Sequence, residues 1–173
     1  MAKSEAKSST TTNPEEHELV ITRVLDAPRA LVWKAWTEPE RVKRWWGPKS
    51  FTSPIVKIDL RVGGEYFNCM RSSEGQDFWS KGVFREIVAP ERLVMTDSFA
   101  DEKGNTVPAS HYGMGKDWPL EMLITVTFEE QGGKTKLTLK HSGIEGIGPV
   151  NRDNMRQGWN ESFDKLAEYL AEI

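Results

Sequence analysis

The sequence predicts an α+β fold: a curved, seven-stranded antiparallel sheet around a long C-terminal helix, with two short helices after the first strand. Three observations carry this. Residues 149–173 hold one apolar stripe, Met155, Trp159, Phe163, Leu166, Leu170 and Ile173, at steps of four, four, three, four and three, which is helical spacing. The middle of the chain alternates apolar and polar residues with period two. The turns between most of these runs are short, which forces antiparallel neighbours. An antiparallel sheet has one wet face and one that must be covered. Only the C-terminal helix is long enough to cover it, since about 22 helical residues reach about 33 Å.

The elements follow in order. Residues 1–15 begin with a Ser/Thr/Lys-rich stretch with no apolar core and read as a disordered tail ahead of a single domain over 16–173. The tail lacks the apolar segment of a secretory signal, and with Glu5 present and arginine absent from its first 13 residues it does not read as a transit peptide. Glu18 to Leu25 is a strand rich in β-branched residues. Asp26-Ala27-Pro28 ends it and starts a helix whose face is Leu31, Val32, Ala35 and Trp36. Thr37-Glu38-Pro39 starts a second short helix, with Val42, Trp45 and Trp46 as its apolar face, and Gly47-Pro48 stops it. Val56, Ile58 and Leu60 then alternate as a strand up to a tight turn at Gly63-Gly64. Strands follow at Tyr66–Met70, Phe78–Val88, Arg92–Phe99 and Leu120–Glu129, and a last one carries Thr135, Leu137, Leu139 and His141 on one face. Pro149 suits the first turn of the final helix, where its missing N–H costs nothing. The polar positions Arg152, Arg156, Glu161, Lys165 and Glu168 of that helix fall mostly off the stripe and are expected to face water.

Composition narrows the function classes. The formal net charge is −3 and the pI about 5.7, with no dense basic run, which argues against a nucleic-acid partner. No run of about 18 apolar residues occurs, so no membrane-spanning helix is expected. The single cysteine, Cys69, fits a reducing compartment and reads as a small buried hydrophobe. The expected location is cytoplasmic. Metal-binding, redox, nucleophile-elbow and phosphate-loop motifs are all missing. No two of the histidines His17, His111 and His141 stand at ligand spacing, so neither metal nor cofactor is expected. Gly143, Gly146 and Gly148 do not match a dinucleotide fingerprint and read as a hinge.

What remains unusual is the aromatic and sulfur content, with seven tryptophans. Trp46, Phe67, Trp79, Phe84, Met95, Phe99, Met122, Trp159 and Phe163 are the candidate lining of an apolar ligand pocket, although ordinary cores use the same side chains. Of the adjacent pair Trp45-Trp46, about 100° apart on a helix, one is expected to anchor to the sheet and the other to reach a cavity edge. The connection Ala100–Pro119 is longer than compact domains favour. Its His111, Tyr112, Met114 and Trp118 suggest either a cover over the pocket or a packed surface loop. His111 and Tyr112 join the candidate lining. His111, Asp97 and Glu65 are the candidate acid–base groups if they point inward, and the favoured reading of the two carboxylates is as outward-facing, solvated charges.

Taken together, Asp26-Ala27-Pro28, Val32-Trp33, Ala35-Trp36-Thr37, Pro39-Glu40 and Trp45-Trp46-Gly47-Pro48 resemble the N-terminal signature of the Hsp90-ATPase-activator-homologue-like proteins. Val62-Gly63-Gly64, Lys81-Gly82, Ala89-Pro90-Glu91-Arg92-Leu93 and Gly158-Trp159 match the same family's punctuation. The resemblance runs from about Glu18 to the C-terminus. It implies a helix-grip fold of the START-like, Bet v 1-like kind, with a cavity between sheet and helix. That superfamily includes lipid and hormone binders, aromatic polyketide cyclases and co-chaperone domains, so the fold does not settle the function. The leading expectation is binding of a small apolar or aromatic molecule. The alternatives are a cyclase- or hydrolase-like enzyme in the same cavity and a co-chaperone acting on Hsp90. A homodimer is compatible with the fold and nothing in the sequence demonstrates one.

Overall fold

A computed structural model of the chain describes residues 17–173. The tail expected over 1–15 lies outside the described residues. Strand β1, Glu18–Leu25, buries Leu19, Ile21 and Leu25. Helix α1, Arg29–Thr37, follows Pro28 as its N-cap, and α2, Pro39–Val42, has Pro39 at its first turn. The strands continue as β2 (Thr52–Ile58), β3 (Glu65–Arg71), β4 (Asp77–Val88), β5 (Arg92–Ala100), β6 (Met122–Gln131) and β7 (Lys134–Ser142), and α3 spans Pro149–Glu172.

All seven strands form one antiparallel sheet in the order β1-β7-β6-β5-β4-β3-β2. Strands β2 to β7 follow one another as neighbours. Strand β1 instead pairs with β7, with Leu19 opposite His141 and Leu25 opposite Thr135, so α1 and α2 carry the chain from one sheet edge to the other. Register shifts between Thr52 and Ile55 and between Phe84 and Glu86 bend the sheet, as bulges do. Its inner face is a continuous apolar layer. Met122, Ile124, Val126 and Phe128 of β6 and Leu137 and Leu139 of β7 are buried against Phe163, Leu166 and Leu170 of α3 and against Trp33 and Trp36 of α1.

Five details differ from expectation. Trp45 and Trp46 lie beyond α2, in a turn where Trp45 N–H donates to Val42 O at 3.2 Å, and Gly47 at φ +101° prevents further helix. Leu60 is outside β2 and exposed, because the chain already turns at Asp59: Arg61 N–H donates to Asp59 O and Gly64 N–H to Arg61 O. Leu120 is likewise exposed, ahead of β6, and Ile173 is exposed past the end of α3. The connector holding Gly143, Gly146 and Gly148 is not a loose hinge, since Ile144 and Ile147 between the glycines are buried.

Candidate functional site

Helix α3 does two different jobs along its length. Its C-terminal half, with Phe163, Leu166, Tyr169 and Leu170, is buried. Its N-terminal half, from Asn151 to Ser162, borders a cavity of about 350 Å³ instead. The sheet supplies the facing wall through Met70, Phe78, Ser80, Asp97, Phe99, Met122 and His141. Two connections close the sides. One is the turn holding Trp46, Gly47, Pro48 and Phe51. The other is the long β5–β6 loop, through Met114 and Trp118.

The wall at the helix is made of locked indoles. Trp46 meets Trp159 edge to face, with centroids 5.4 Å apart at 84°. Trp36 stacks on Trp159 at 6.3 Å and 18°, and Trp159 rests on Phe163 at 5.6 Å. Such pairs hold each ring in one orientation. Trp45 is fully buried, its Nε1–H donating to Ala35 O at 2.9 Å. Lys165 reinforces the turn from beneath. Its Nζ donates to Gly47 O, Pro48 O and Phe51 O at 3.0, 3.2 and 3.1 Å. Burial pushes this ammonium below the usual lysine range, against the opposite pull of Glu161 and Glu168. Lys165 is therefore not a solvated position of the helix, as its place off the stripe suggests, but a tether.

The polar end of the cavity is a chain of four side chains from four elements. Tyr66 of β3 lays its ring over Gly82 of β4, where a Cβ would lie 2.3 Å from Tyr66 Cε2 and 1.9 Å from Thr96 O. Across that gap the Tyr66 hydroxyl lies 3.0 Å from both Thr96 O and Asp97 Oδ1. Burial, and then the Asp97 carboxylate, hold the Tyr66 hydroxyl well above the usual phenol range. The other oxygen of Asp97, Oδ2, stands 3.2 Å from His141 Nε2. This contact falls within ion-pair distance, yet the ring N–H is not aligned for a hydrogen bond, and Nε2 is buried without another partner. On the far side of the ring, Trp159 Nε1–H donates to His141 Nδ1 at 3.0 Å. Because indole can only donate, Nδ1 is the acceptor, and the neutral ring carries its proton on Nε2.

The expected site residues separate into four groups. Trp46, Phe99, Met122, Trp159 and Asp97 line the cavity. Phe84, Met95 and Phe163 lie in the packed core beside it. Phe67, Trp79 and Glu65 belong to the other face. Glu65 and Phe67 alternate with buried Tyr66 and Asn68, and Phe67 stacks on Trp79 at 4.9 Å and 19°. In the long loop, the 3-10 turn Ala109–Tyr112 leaves His111 exposed. Tyr112 is wedged against Phe78 and Phe99, and its hydroxyl bridges β4 and β5 by accepting from Trp79 N–H and donating to Ala100 O. Neither His111 nor Glu65 reaches the cavity.

His141 is the residue that sequence reasoning missed. It ends a strand beside a polar turn, which looks like a surface position. The available signal was its place in the alternation Thr135, Leu137, Leu139, His141, whose other members are all buried. Cys69 is fully buried, with its thiol pushed up to about 11, chiefly by burial. That suits a packing role rather than a nucleophile. Among the described residues no cluster of His, Cys, Asp or Glu could hold a metal ion, and no helix is long and apolar enough to cross a membrane.

The sequence profile described as "Activator of Hsp90 ATPase homolog 1-like protein" matches residues 26–171. No curated protein matches the chain. Among solved structures, a Nitrosomonas europaea protein is 25% identical with a TM-score of 0.74, covering 93% of this chain and 97% of its own. A Chromobacterium violaceum protein is 27% identical with a TM-score of 0.73, covering 89% of this chain and 96% of its own. A solution structure from Arthrobacter aurescens is 25% identical with a TM-score of 0.78, covering 94% of this chain and 90% of its own.

Proposed function

This chain belongs to the activator of Hsp90 ATPase homolog 1-like family, and from that premise we propose that it binds a small apolar or aromatic molecule between its sheet and its C-terminal helix. One observation carries the reading. The space beneath the N-terminal half of α3 is walled by Trp46, Phe99, Trp118, Met122 and Trp159, with a minority of polar residues, Asp97 and His141 of the sheet and Asn151 and Asn154 of the helix among them. Its volume of about 350 Å³ lies in the range of small-molecule sites, about 300–1,000 Å³, which combine apolar walls with a few placed polar groups. A single buried cysteine suits a reducing compartment, and a cytoplasmic location is part of the same proposal.

Native mass spectrometry of the purified protein tests it. The expected result is a non-covalent excess over the chain mass, lost on denaturation, and the same spectrum reads monomer or dimer. Met122→Trp places a larger side chain in the cavity and is expected to abolish that excess while the protein stays folded. Full retention of the excess in this variant would sink the assignment.

A second reading has its own observation. Asp97 lines the cavity with His141 beside it, and such a titratable pair is the kind of group that proton transfer in a cyclase- or hydrolase-like enzyme uses. Returning the released molecule to the protein discriminates the two. A binder gives it back unchanged, and an enzyme gives a new mass.

A further inference from the structure

We propose that the molecule held in this cavity is an amine, an aromatic or alkyl-aromatic compound whose protonated nitrogen docks on Asp97. The inference rests on the ligand-binding reading above and adds the chemical class.

Charge inventory comes first. Among the described residues, Asp97 is the one carboxylate lining the cavity, and neither lysine nor arginine lines it. Lys165, one turn along α3 from the lining, has its Nζ engaged by the carbonyls of Gly47, Pro48 and Phe51. Asp97 keeps 19% of its side-chain exposure, and it opens onto the cavity. A carboxylate on an apolar cavity wall is costly unless it is paired or well hydrogen-bonded.

The wall itself supplies only part of that pairing. The Tyr66 hydroxyl lies against Oδ1. His141 Nε2 is near Oδ2 but poorly aligned with it. The imidazole is already engaged on its far side. Its Nδ1 accepts from Trp159 Nε1–H, and a second ring proton would set N–H against N–H. No lysine or arginine of the lining supplies a compensating positive charge, and a ligand ammonium at Asp97 would.

The remaining walls suit the same charge. Trp46, Trp159, Trp118 and Phe99 surround the cavity, and aromatic faces attract a desolvated ammonium. A carboxylic acid would meet Asp97 with no basic partner. A neutral hydrocarbon would displace water from Asp97 and supply no donor in its place. The cavity thus selects against acids by charge and against plain hydrocarbons by lost pairing.

The test is calorimetric titration of the full chain at neutral pH with three probes of one shape: naphthylethylamine, propylnaphthalene and naphthylpropanoate. The amine is expected to bind at least about tenfold more tightly than the hydrocarbon, as a charge-assisted hydrogen bond allows, with the acid weakest. Asp97→Asn should erase the amine's advantage, weakening the amine and relieving propylnaphthalene of the unpaired carboxylate, and its binding of propylnaphthalene also shows that the variant is folded. Should that variant fail to fold, the ranking on the unaltered protein decides alone. Hydrocarbon or acid binding as tight as the amine overturns the proposal and leaves the cavity reading standing. If none of the three binds, the molecule released from the native protein decides: a basic nitrogen in it supports the proposal, and its absence overturns it. No binding together with no released molecule removes the cavity reading itself.

Discussion

Gly82 illustrates how a missing side chain can build a site. Its neighbours leave no room for a Cβ, which would sit 1.9 Å from the backbone oxygen of Thr96 and 2.3 Å from the ring of Tyr66. The absence of that atom lets the Tyr66 ring cross β4 and place its hydroxyl at Asp97 Oδ1. Gly82→Ala therefore forces a backbone shift rather than a rotamer change. The expected cost is about 3 kcal/mol, toward the upper end for overpacking, measured by urea unfolding. A change below about 0.5 kcal/mol would mean that the close approach is not required. The pair Lys81-Gly82 is visible in the sequence, but a glycine in a strand signals close approach in general. That the approaching group is Tyr66 follows only from the register placing Tyr66 opposite Gly82.

Between elements, the C-terminal helix is fixed by a few polar ties as well as by its apolar stripe. Arg23 of β1 reaches Asp164 Oδ1 at 2.7 Å and Asn160. Arg41 of α2 donates to the Tyr169 hydroxyl at 3.0 Å. Lys165 holds the turn that carries Trp46 and Phe51. Lys165→Met keeps the length of the apolar stem and removes the three donors. It is expected to cost about 2 kcal/mol, the scale for hydrogen bonds to a charged group. Amide exchange at Phe51, whose N–H donates to Pro48 O, is expected to speed up. Unchanged exchange there would show that the turn holds itself. The sequence marks Lys165 as polar and off the stripe, which places it toward water. Its partners lie more than a hundred positions earlier in the chain, so no local pattern could reveal the tether.

For the molecule as a whole, core packing and cavity lining fall to different halves of one helix. Phe163 is fully buried in the core, and Phe163→Ala is expected to cost about 3–5 kcal/mol. Met155 lies on the same stripe but lines the cavity and is only partly buried. Met155→Ala is expected to cost about 1 kcal/mol, below the range for a fully buried methionine, and, on the proposed ligand-binding reading, to change the affinity or identity of the bound molecule. Unfolding curves and native masses of the two variants check this, and equal destabilisation by both would refute the division. The apolar stripe runs evenly through Met155, Trp159 and Phe163, so periodicity cannot show where core ends and cavity begins. That boundary depends on how far the sheet curves away from the helix.

The α+β class, the seven strands, the two short helices and the long final helix were determined by the sequence itself. Periodicity, proline and glycine signals and turn lengths act between near neighbours and survive without tertiary contacts. The family was legible for the same reason, since its signature is a run of local punctuation. Only the tertiary structure decided that β1 closes the sheet on β7, that Phe67 and Trp79 face away from the cavity, and that Asp97 meets His141. A strand pattern with apolar residues on both faces does not name its inner side. Pairing between strands chooses that side, and one residue of register reverses it. Asp97 and His141 come together because β6 lies between their strands, with Asp97 opposite Met122 and His141 opposite Ile124.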